Sequence, residues 1–360
     1  MKAYIKIKNF AIIFFVVVAL NFSSCNSYSD NDLPLPDSTE YGNLTRYNDF
    51  FMELFNTLTV VVGYADSQEE FNYYRDIIFN ELSRLHMLFD IYNEYPGINN
   101  IYTINKNAGI APVEVDPVII ELIQVSKYAY YITNGTLNIA LGPVLSLWHD
   151  HRNKEIPTLP SVESLLMANK YTNIEDIIID EENHTIFLRY ENMSLDVGSV
   201  GKGFAIDFAF QRAKEAGFEF FLLNVGGDVL TAKGPPTRGY WNVGVENPDI
   251  GAQDVIDVVL ANNMAVFVSG DYQRFFVVDG VAYSHLIDPQ TLMPATKFKS
   301  VTVLHPCALY AEILSVAAFI IDLESSFELL ARHNAEALWV SNDNQIFTTS
   351  GYFEFSRDLS

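Results

Sequence analysis

A glycine-rich segment at residues 198–203, GSVGKG, has the residue types that could bind a phosphate. Glycine lets a ligand approach the backbone closely, and the free N–H groups at the start of a following helix attract anions. The preceding residues predict a strand that leads into this helix. The segment is not a Walker A loop, because Gly203 follows Lys202 where Ser or Thr is needed, and it is not G-x-G-x-x-G. Two interpretations stay open: a phosphorylated ligand, or close packing of strand on helix.

Three further segments carry polar side chains that could do chemistry. Asp228 ends the glycine turn NVGGD, although most such turns are structural. His285 stands three residues before Asp288, so the two could form an acid–base pair. Glu312 and Ser315 share one face of a predicted helix at i, i+3 spacing, where a lone glutamate is usually solvated. Taken singly, none of these segments distinguishes catalysis from structure.

Regular elements must position these side chains, and the hydrophobic pattern predicts both kinds. Helical spacing predicts helices at residues 71–89, 117–135, 161–171, 309–321 and 325–332, and another directly after the glycine segment. Strands are predicted at 58–64, 300–304 and after 332 as a hairpin, two each within 184–198 and 220–234, one within 238–248 and three within 265–289. Because there is no strict βαβ repeat and no linker within residues 47–360, we expect one α+β unit, which could form two lobes.

The first 24 residues predict an export signal, with three lysines, no acid, and an apolar run from Phe10 to Leu20. The following NFSSC resembles the lipobox of bacterial lipoproteins, with Phe22 where leucine is usual, so Cys25 is the expected lipidated residue. An ordinary signal peptide cut elsewhere is the alternative. Residues 25–46 are polar, acidic and proline-containing, which predicts a disordered tether. We therefore expect an exported bacterial lipoprotein, anchored on the periplasmic side of a membrane.

The chain is strongly acidic, and this excludes some partners. Its formal net charge is −23, and loss of the first 24 residues makes it −26. Such a charge repels nucleic acid and anionic lipid headgroups, so the membrane link would be the acyl chain on Cys25. Cys25 and Cys307 are the two cysteines of the sequence. Because a lipid on the first leaves the second without a partner, we expect no disulfide.

The order and spacing of these segments resemble the ApbE family, the FAD:protein FMN transferases. The resemblance covers roughly residues 51–347. It implies an α+β enzyme that uses FAD and Mg²⁺, splits the FAD pyrophosphate, transfers FMN to a Thr or Ser hydroxyl of a target flavoprotein and releases AMP; some members hydrolyse FAD instead. The segments that carry it are FDIY, NGTLNIALGPVLSLW, LDVGSVGKGFAIDFA, LNVGGDV, SGDYQRFF with YSHLIDPQT, and AEILS after SVTVLHP.

The resemblance also implies roles for individual residues. Asp196 and Lys202 would contact the flavin nucleotide, and His285 would be the acid–base residue, with Leu286 beside the flavin. Phosphoryl transfer depends mainly on such positioning and on charge neutralisation. The other implied positions are Thr136, Leu137 and Asn138 on the adenine or ribose side, Tyr92 against a ring, Phe55 at the family's methionine position before Thr57, and Ser199, Glu312 and Ser315 at the metal.

Several of these positions depart from the family pattern. Val316 stands where the family has a threonine and supplies no side-chain oxygen, Glu312 replaces an aspartate, and Asn138 replaces another. A glutamate can still reach a metal from one methylene further out. These departures leave open a lipoprotein that binds FAD or hydrolyses it slowly through a degenerate metal site. The high acidity and abundant tyrosine leave open a surface lipoprotein without flavin, used for adhesion or polymer binding.

Overall fold

Strands and helices are interspersed throughout the computed structural model, which describes residues 44–359 except Glu53, residues 250–254 and Gln273. The strands are β1 (Thr45–Phe51), β2 (Thr59–Ala65), β3 (Val113–Glu114), β4 (Ile177–Asp180), β5 (Thr185–Leu188), β6 (Phe220–Val225), β7 (Asp228–Thr231), β8 (Trp241–Glu246), β9 (Val255–Ala261), β10 (Ala265–Gly270), β11 (Phe275–Val278), β12 (Val281–Ser284), β13 (Ile287–Asp288), β14 (Met293–Pro294), β15 (Phe298–His305), β16 (Glu336–Ser341) and β17 (Ile346–Thr348). The helices are α1 (Gln68–Phe89), α2 (Ile101–Lys106), α3 (Pro117–Ile132), α4 (Gly142–Arg152), α5 (Val162–Ala168), α6 (Gly201–Glu215), α7 (Ala308–Ile320) and α8 (Leu323–Arg332).

An eight-stranded antiparallel sheet forms the centre, in the order β1-β2-β6-β7-β10-β15-β16-β17. The inner strands β10 and β15 are buried along nearly their whole length, since both faces of the sheet are covered there. Strand β2 alternates strictly between buried and half-buried residues, as expected nearer an edge. The sheet thus offers one continuous platform from which turns and strand ends reach the site.

One face of the sheet is covered by three helices. Helix α7 packs on β10 and β15, α6 packs on α7, and α1 packs on α6. Every residue of α7 except Tyr310 is buried. Its N-terminus is capped from α6, because the Asp207 carboxylate accepts hydrogen bonds from Ala308 N at 3.0 Å and Leu309 N at 2.8 Å. This cross-helix cap fixes α7, and with it Glu312, against the start of α6.

The opposite face is covered by the β8–β9 hairpin. Alternate residues of β8, among them Val243 and Val245, pack with Val266 and Leu304 of the central sheet in one apolar core. A second apolar core joins α4 and α5 to the β11–β12 hairpin around Trp148, whose Nε1–H donates to Leu292 O at 3.0 Å. The first core supports the sheet, whereas the second holds the β11–β12 hairpin, which precedes His285.

The α+β prediction is confirmed, as are the helix after the glycine segment and the hairpin at Asp279–Gly280. The strand predicted to lead into the glycine segment is wrong, because residues 192–197 have no regular structure. There the Asn105 side chain takes the place of a partner strand: it accepts from Leu195 N at 2.7 Å and donates to Leu195 O at 2.9 Å. Strands β1, β3, β4, β9 and β14 were not predicted.

The predicted tether and anchor lie almost wholly outside the described residues. Cys25 and the export signal are not described, so both stay predictions. Thr45 and Arg46, placed at the end of the tether, instead begin β1, where they pair with Ala65 and Tyr64. Among the described residues, no helix has the length and apolar character needed to cross a membrane.

Candidate active site

A cleft of about 920 Å³ gathers the residues that the sequence analysis assigned to a site. Its walls come from the turn before β2, the end of α1, the start of α6, the end of β10, the base of the β11–β12 hairpin and one face of α7. Their roles stay predictions. The assigned residues that line the cleft are Phe55, Tyr92, Thr136, Leu137, Asn138, Asp196, Ser199, Lys202, His285, Leu286, Glu312 and Ser315.

A cluster of largely buried charged groups lies in the described cleft. Lys202, the second residue of α6, forms an ion pair with Asp228 at the start of β7. Asp228 is 4% exposed and also accepts from Val268 N at 2.9 Å. The turn NVGGD is therefore more than a structural turn, because it positions Asp228 for the ion pair with Lys202. Glu312 is 4% exposed rather than solvated, and it accepts from Gly203 N at 2.7 Å.

Burial sets the protonation of this cluster. Burial raises the pKa of Glu312 to about 8, and the nearby Lys202 charge and the Gly203 N–H only partly oppose this. Burial acts to lower the pKa of Lys202, but the charges of Asp228 and Glu312 outweigh it, so this pKa is raised. At neutral pH the lysine is charged and paired with Asp228, whereas Glu312 is mostly protonated.

Of the two interpretations that the sequence left open for the glycine segment, close packing is confirmed at one glycine, and the phosphorylated ligand stays a prediction. A Cβ at Gly203 would lie 2.8 Å from Ala308 O and 2.9 Å from Glu312 Oε2, so this glycine serves the close packing of α6 on α7. A Cβ at Gly201 would meet nothing closer than 3.5 Å. Gly198 N donates to Asp196 Oδ1 at 2.9 Å, which folds the turn back at the cleft wall. Packing explains Gly203, whereas Gly198, Ser199 and Gly201 line the cleft.

The implied metal position has oxygen donors but few charges. Ser315 Oγ accepts from Ser269 Oγ and donates to Glu312 O, both at 3.0 Å, and Val316 adds no oxygen. Within the described residues no group of three or more His, Cys, Asp or Glu could hold a metal ion. Ser199, Glu312 and Ser315 are nevertheless hard oxygen donors, which fit Mg²⁺ because this ion keeps several waters and needs few protein ligands.

His285 follows β12 directly and is held by the residue that precedes β11. Its ring Nδ1–H donates to Arg274 O at 3.1 Å, and its backbone N–H donates to the same oxygen at 3.2 Å. A carbonyl can only accept, so the neutral ring carries its proton on Nδ1 and leaves Nε2 as an acceptor. Burial, helped by the Arg274 charge, lowers the pKa of His285 to about 4. His285 is therefore neutral at pH 7.

The predicted pair of His285 with Asp288 is wrong. Asp288 Oδ1 accepts from Gln290 N at 2.8 Å, so this carboxylate closes the β13–β14 turn instead of orienting the histidine. The backbone carbonyl of Arg274 performs that orienting role. The sequence could not reveal this partner, because a carbonyl belongs to every residue and only the hairpin pairing brings this one to His285.

A strained turn closes another side of the cleft. Phe55 and Asn56 have φ of 53° and 55°, which is uncommon for consecutive residues other than glycine. Phe55 N donates to His86 Nδ1 at 3.3 Å. Thr57 lies so close to Gly226 that a Cβ there would be 2.3 Å from Thr57 Oγ1. These contacts press the turn against the β6–β7 turn and hold Phe55 on the cleft wall.

Asn138 is used for structure as well as lining the cleft. Its Oδ1 accepts from Ala140 N at 2.9 Å, and its Nδ2 donates to Thr172 O at 2.8 Å. A carboxylate could accept the first bond but could not donate the second. The asparagine is therefore well suited to this fold, and the change from the family's aspartate fastens the wall of the cleft to residue 172.

Tyr92 projects from the loop after α1 and is 59% exposed. Its backbone N–H donates to Asp90 Oδ1 at 2.7 Å, and its hydroxyl is 3.4 Å from His149 Nδ1. Although most of the side chain is exposed, its hydroxyl lies near His149, and the partial loss of water there raises the pKa of Tyr92, with the Asp196 charge adding to this rise. Sequence reasoning missed His149 and two cations of the cleft wall, Arg152 and Arg274.

Fold and cleft together define an α+β protein with a lysine–carboxylate cluster beside a glycine turn. The chain belongs to the ApbE family, whose sequence profile matches residues 52–339. A Klebsiella pneumoniae (strain 342) protein named FAD:protein FMN transferase is 29% identical over 278 residues, which is 74% of this chain and 84% of that protein. A Treponema pallidum protein of the same name is 29% identical over 271 residues, 71% of this chain and 74% of that protein.

Solved structures share the fold. The crystal structure of the ApbE protein from Thermotoga maritima has a TM-score of 0.79 and 29% identity, and the match covers 87% of this chain and all of that one. The flavin transferase ApbE from Vibrio cholerae has a TM-score of 0.74 at 20% identity, with 87% of this chain and 99% of that one covered. The second likeness supports the fold alone.

Proposed function

We propose that this chain is a FAD:protein FMN transferase, which moves FMN from FAD to a Thr or Ser hydroxyl of a target flavoprotein and releases AMP. The relatives' names support the activity. The observation that carries it for this chain is the convergence of the assigned residues, from separate segments, on one cleft around the Lys202–Asp228 pair. A cleft of about 920 Å³ is also large enough for a dinucleotide.

The chemistry needs positioning, a proton acceptor and positive charge. The acceptor hydroxyl oxygen attacks the phosphorus of the FMN half, and the bond from this phosphorus to the oxygen that bridges it to AMP breaks. The electron pair of that bond leaves with AMP. The hydroxyl proton goes to Nε2 of His285, which is neutral and free to accept at pH 7. Lys202 lines the cleft, where its charge can balance that of a phosphate, whereas the N–H groups of Gly198 and Gly203 already donate to Asp196 and Glu312.

Mg²⁺ dependence is part of the proposal. Ser199, Glu312 and Ser315 would hold the ion, with waters in its remaining positions. When bound, the ion would neutralise charge on the pyrophosphate oxygens. One feature favours a second candidate, a protein that binds FAD or hydrolyses it slowly: Val316 supplies no oxygen beside a carboxyl that is mostly protonated at pH 7.

The cellular setting is proposed as well. A lipid on Cys25 would tether the catalytic unit to a membrane on the periplasmic side, where it would meet its target flavoprotein subunit. The lipobox-like NFSSC and the acidic segment that follows it support this placement.

Titration of the purified chain with FAD, in Mg²⁺ and in EDTA, tests the function directly when the same samples are assayed with a threonine-containing acceptor peptide. We expect Mg²⁺-dependent binding, AMP release and an equal amount of covalent flavin on the peptide. His285→Ala should lower the transfer rate about 10²–10⁴-fold, because it removes the general base. Arg212→Gln, on the exposed side of α6, is the control and should transfer normally. Binding without AMP release would favour the second candidate, a protein that binds FAD without transferring FMN.

A further inference from the structure

Arg274 is a cation of the cleft to which neither the sequence nor the family resemblance gave a role. It stands between the segment GDYQ and strand β11, at the base of the hairpin. Its side chain is exposed and lines the same cleft as Lys202 and His285. In the part of the chain that the structure describes, the Arg274 guanidinium forms no ion pair with a carboxylate.

The carboxylates of the cleft would repel an anionic ligand, so a cation such as Arg274 is important there. Lys202 is already paired with Asp228, and further carboxyl groups of the wall belong to Asp90, Asp196 and Glu246. A pyrophosphate carries two negative charges, which these carboxylates repel. The lysine alone therefore cannot balance the ligand. Besides the proposed Mg²⁺, the described cleft wall offers two cations outside any ion pair, Arg152 and Arg274, and Arg274 is the one held beside His285. A guanidinium suits this task, because it binds phosphate oxygens through two parallel hydrogen bonds.

The position of Arg274 next to His285 indicates which part of a bound ligand the guanidinium would contact. Both backbone and ring N–H groups of His285 donate to the carbonyl of Arg274, at 3.2 and 3.1 Å. These two hydrogen bonds fix the backbone of Arg274 next to His285 at the base of the hairpin. Both side chains therefore start from neighbouring positions and line the cleft. The Arg274 charge also contributes to the lowered pKa of His285 and acts on Lys202 and Tyr92, so it reaches across the cleft.

We propose that Arg274 binds the pyrophosphate of FAD on the side of the acid–base residue, opposite the glycine turn. This inference rests on the proposed function, since it names a phosphate-binding residue of the same site. Lys202 and the turn hold the pyrophosphate from one wall, and Arg274 holds it from the other. The phosphorus is then presented to an acceptor hydroxyl next to Nε2 of His285. Arg274 is in this way a specificity-determining residue that selects flavins with phosphate over flavin alone.

The test compares binding of FAD and riboflavin, which share the flavin ring but differ in phosphate, to the full chain and its variants. Arg274→Gln should weaken FAD binding about 10- to 100-fold, because hydrogen bonds between charged groups contribute about that much to affinity. Riboflavin binding should be unchanged. Arg274→Lys should recover part of the FAD affinity. Arg212→Gln removes the same charge from an exposed helix position and should bind both ligands like the parent.

Thermal melting of each variant shows whether it is folded, and a pH profile of transfer adds a second readout. Loss of the Arg274 charge should move the acidic limb of the profile to higher pH, because that charge helps to keep His285 neutral. Equal loss of FAD and riboflavin binding in Arg274→Gln, or no loss of FAD binding, would overturn the inference. A parent chain that binds FAD with the predicted contrast but transfers nothing would refute the transferase activity and leave the arginine's role standing.

Discussion

At the scale of single residues, the protonation of Glu312 is the most testable property of the site. Its pKa is about 8 in the folded protein and 4.5 in a free glutamate. The folded state therefore binds more protons than the unfolded state between these values. By linkage, the contribution of this group to stability is complete below pH 4.5 and is lost as the pH rises toward 8, by at most about 1.4 kcal/mol per pH unit.

Glu312→Gln removes this titration and keeps a carbonyl oxygen that can accept from Gly203 N. We expect the free energy of unfolding of the variant, minus that of the parent, to increase steadily from pH 5 to pH 8, because only the parent loses stability over this range. Urea unfolding in EDTA at each pH measures this difference. Glu182→Gln, at an exposed turn, is the control and should show a constant difference. A constant difference for Glu312→Gln as well would mean that the glutamate is ionised when buried.

The sequence identified the chemical groups of the site better than their partners. His285, Lys202 and Glu312 were all assigned, because each lies in a motif of recognisable order. Asp228 was named as a candidate, but its pairing with Lys202 was not predicted, since an aspartate after two glycines is normally a turn residue. The Arg274 carbonyl was missed because hydrogen bonds of backbone atoms depend on strand pairing, which a single sequence does not specify.

At the scale of elements, the contact between α6 and α7 sets the geometry of the site. Gly203 and Gly201 lie on the same first turn of α6, yet they meet different surroundings. Gly203→Ala would place a methyl group 2.8 Å from Ala308 O, against the capped start of α7. We expect a loss of about 1–3 kcal/mol in the free energy of unfolding, as for other overpacked sites.

Gly201→Ala is the matched variant of the same helix turn. Its new methyl group would have 3.5 Å to the nearest side chain, so the gain in helix propensity should dominate and stability should stay equal or rise by about 0.5–1 kcal/mol. Urea unfolding without ligand compares the two. Equal destabilisation by both alanines would show that the close approach of α7 is not what requires Gly203.

Elements were predictable where a local pattern decides them. Helix α1 begins after Ser67, whose side chain accepts from Glu70 N, and its apolar spacing is regular. The alternation of apolar and polar residues in 192–197 predicts a strand, which the structure does not contain. The side chain of Asn105, 90 positions before Leu195, supplies the hydrogen bonds that a partner strand would have given. Because Asn105 is far from Leu195 in the sequence, the residues around Leu195 give no indication of these hydrogen bonds.

At the scale of the whole molecule, the distribution of charge assigns ligand binding to the cleft and leaves membrane attachment to a lipid. A chain with net charge −26 after loss of the predicted signal is repelled by anionic headgroups, so its surface is a poor membrane ligand. Lys202, which the proposed function uses, and Arg274, which the further inference adds, both line the cleft. An acyl chain on Cys25 would therefore have to provide the attachment, with the acidic residues 26–43 as spacer.

Replacement of Cys25 tests this arrangement in a bacterial cell. The parent chain should be found in the membrane fraction, take up labelled palmitate and enter the detergent phase on Triton X-114 partition, because acyl chains supply the binding energy. Cys25→Ser should lose the label and the detergent partition. Cys307→Ser is the matched control: its hydroxyl can donate to Asp207 as the thiol does at 3.0 Å, so label and partition should persist. Labelled Cys25→Ser protein would show that the lipid is carried elsewhere, and an unlabelled parent would show that the signal is cut at another residue.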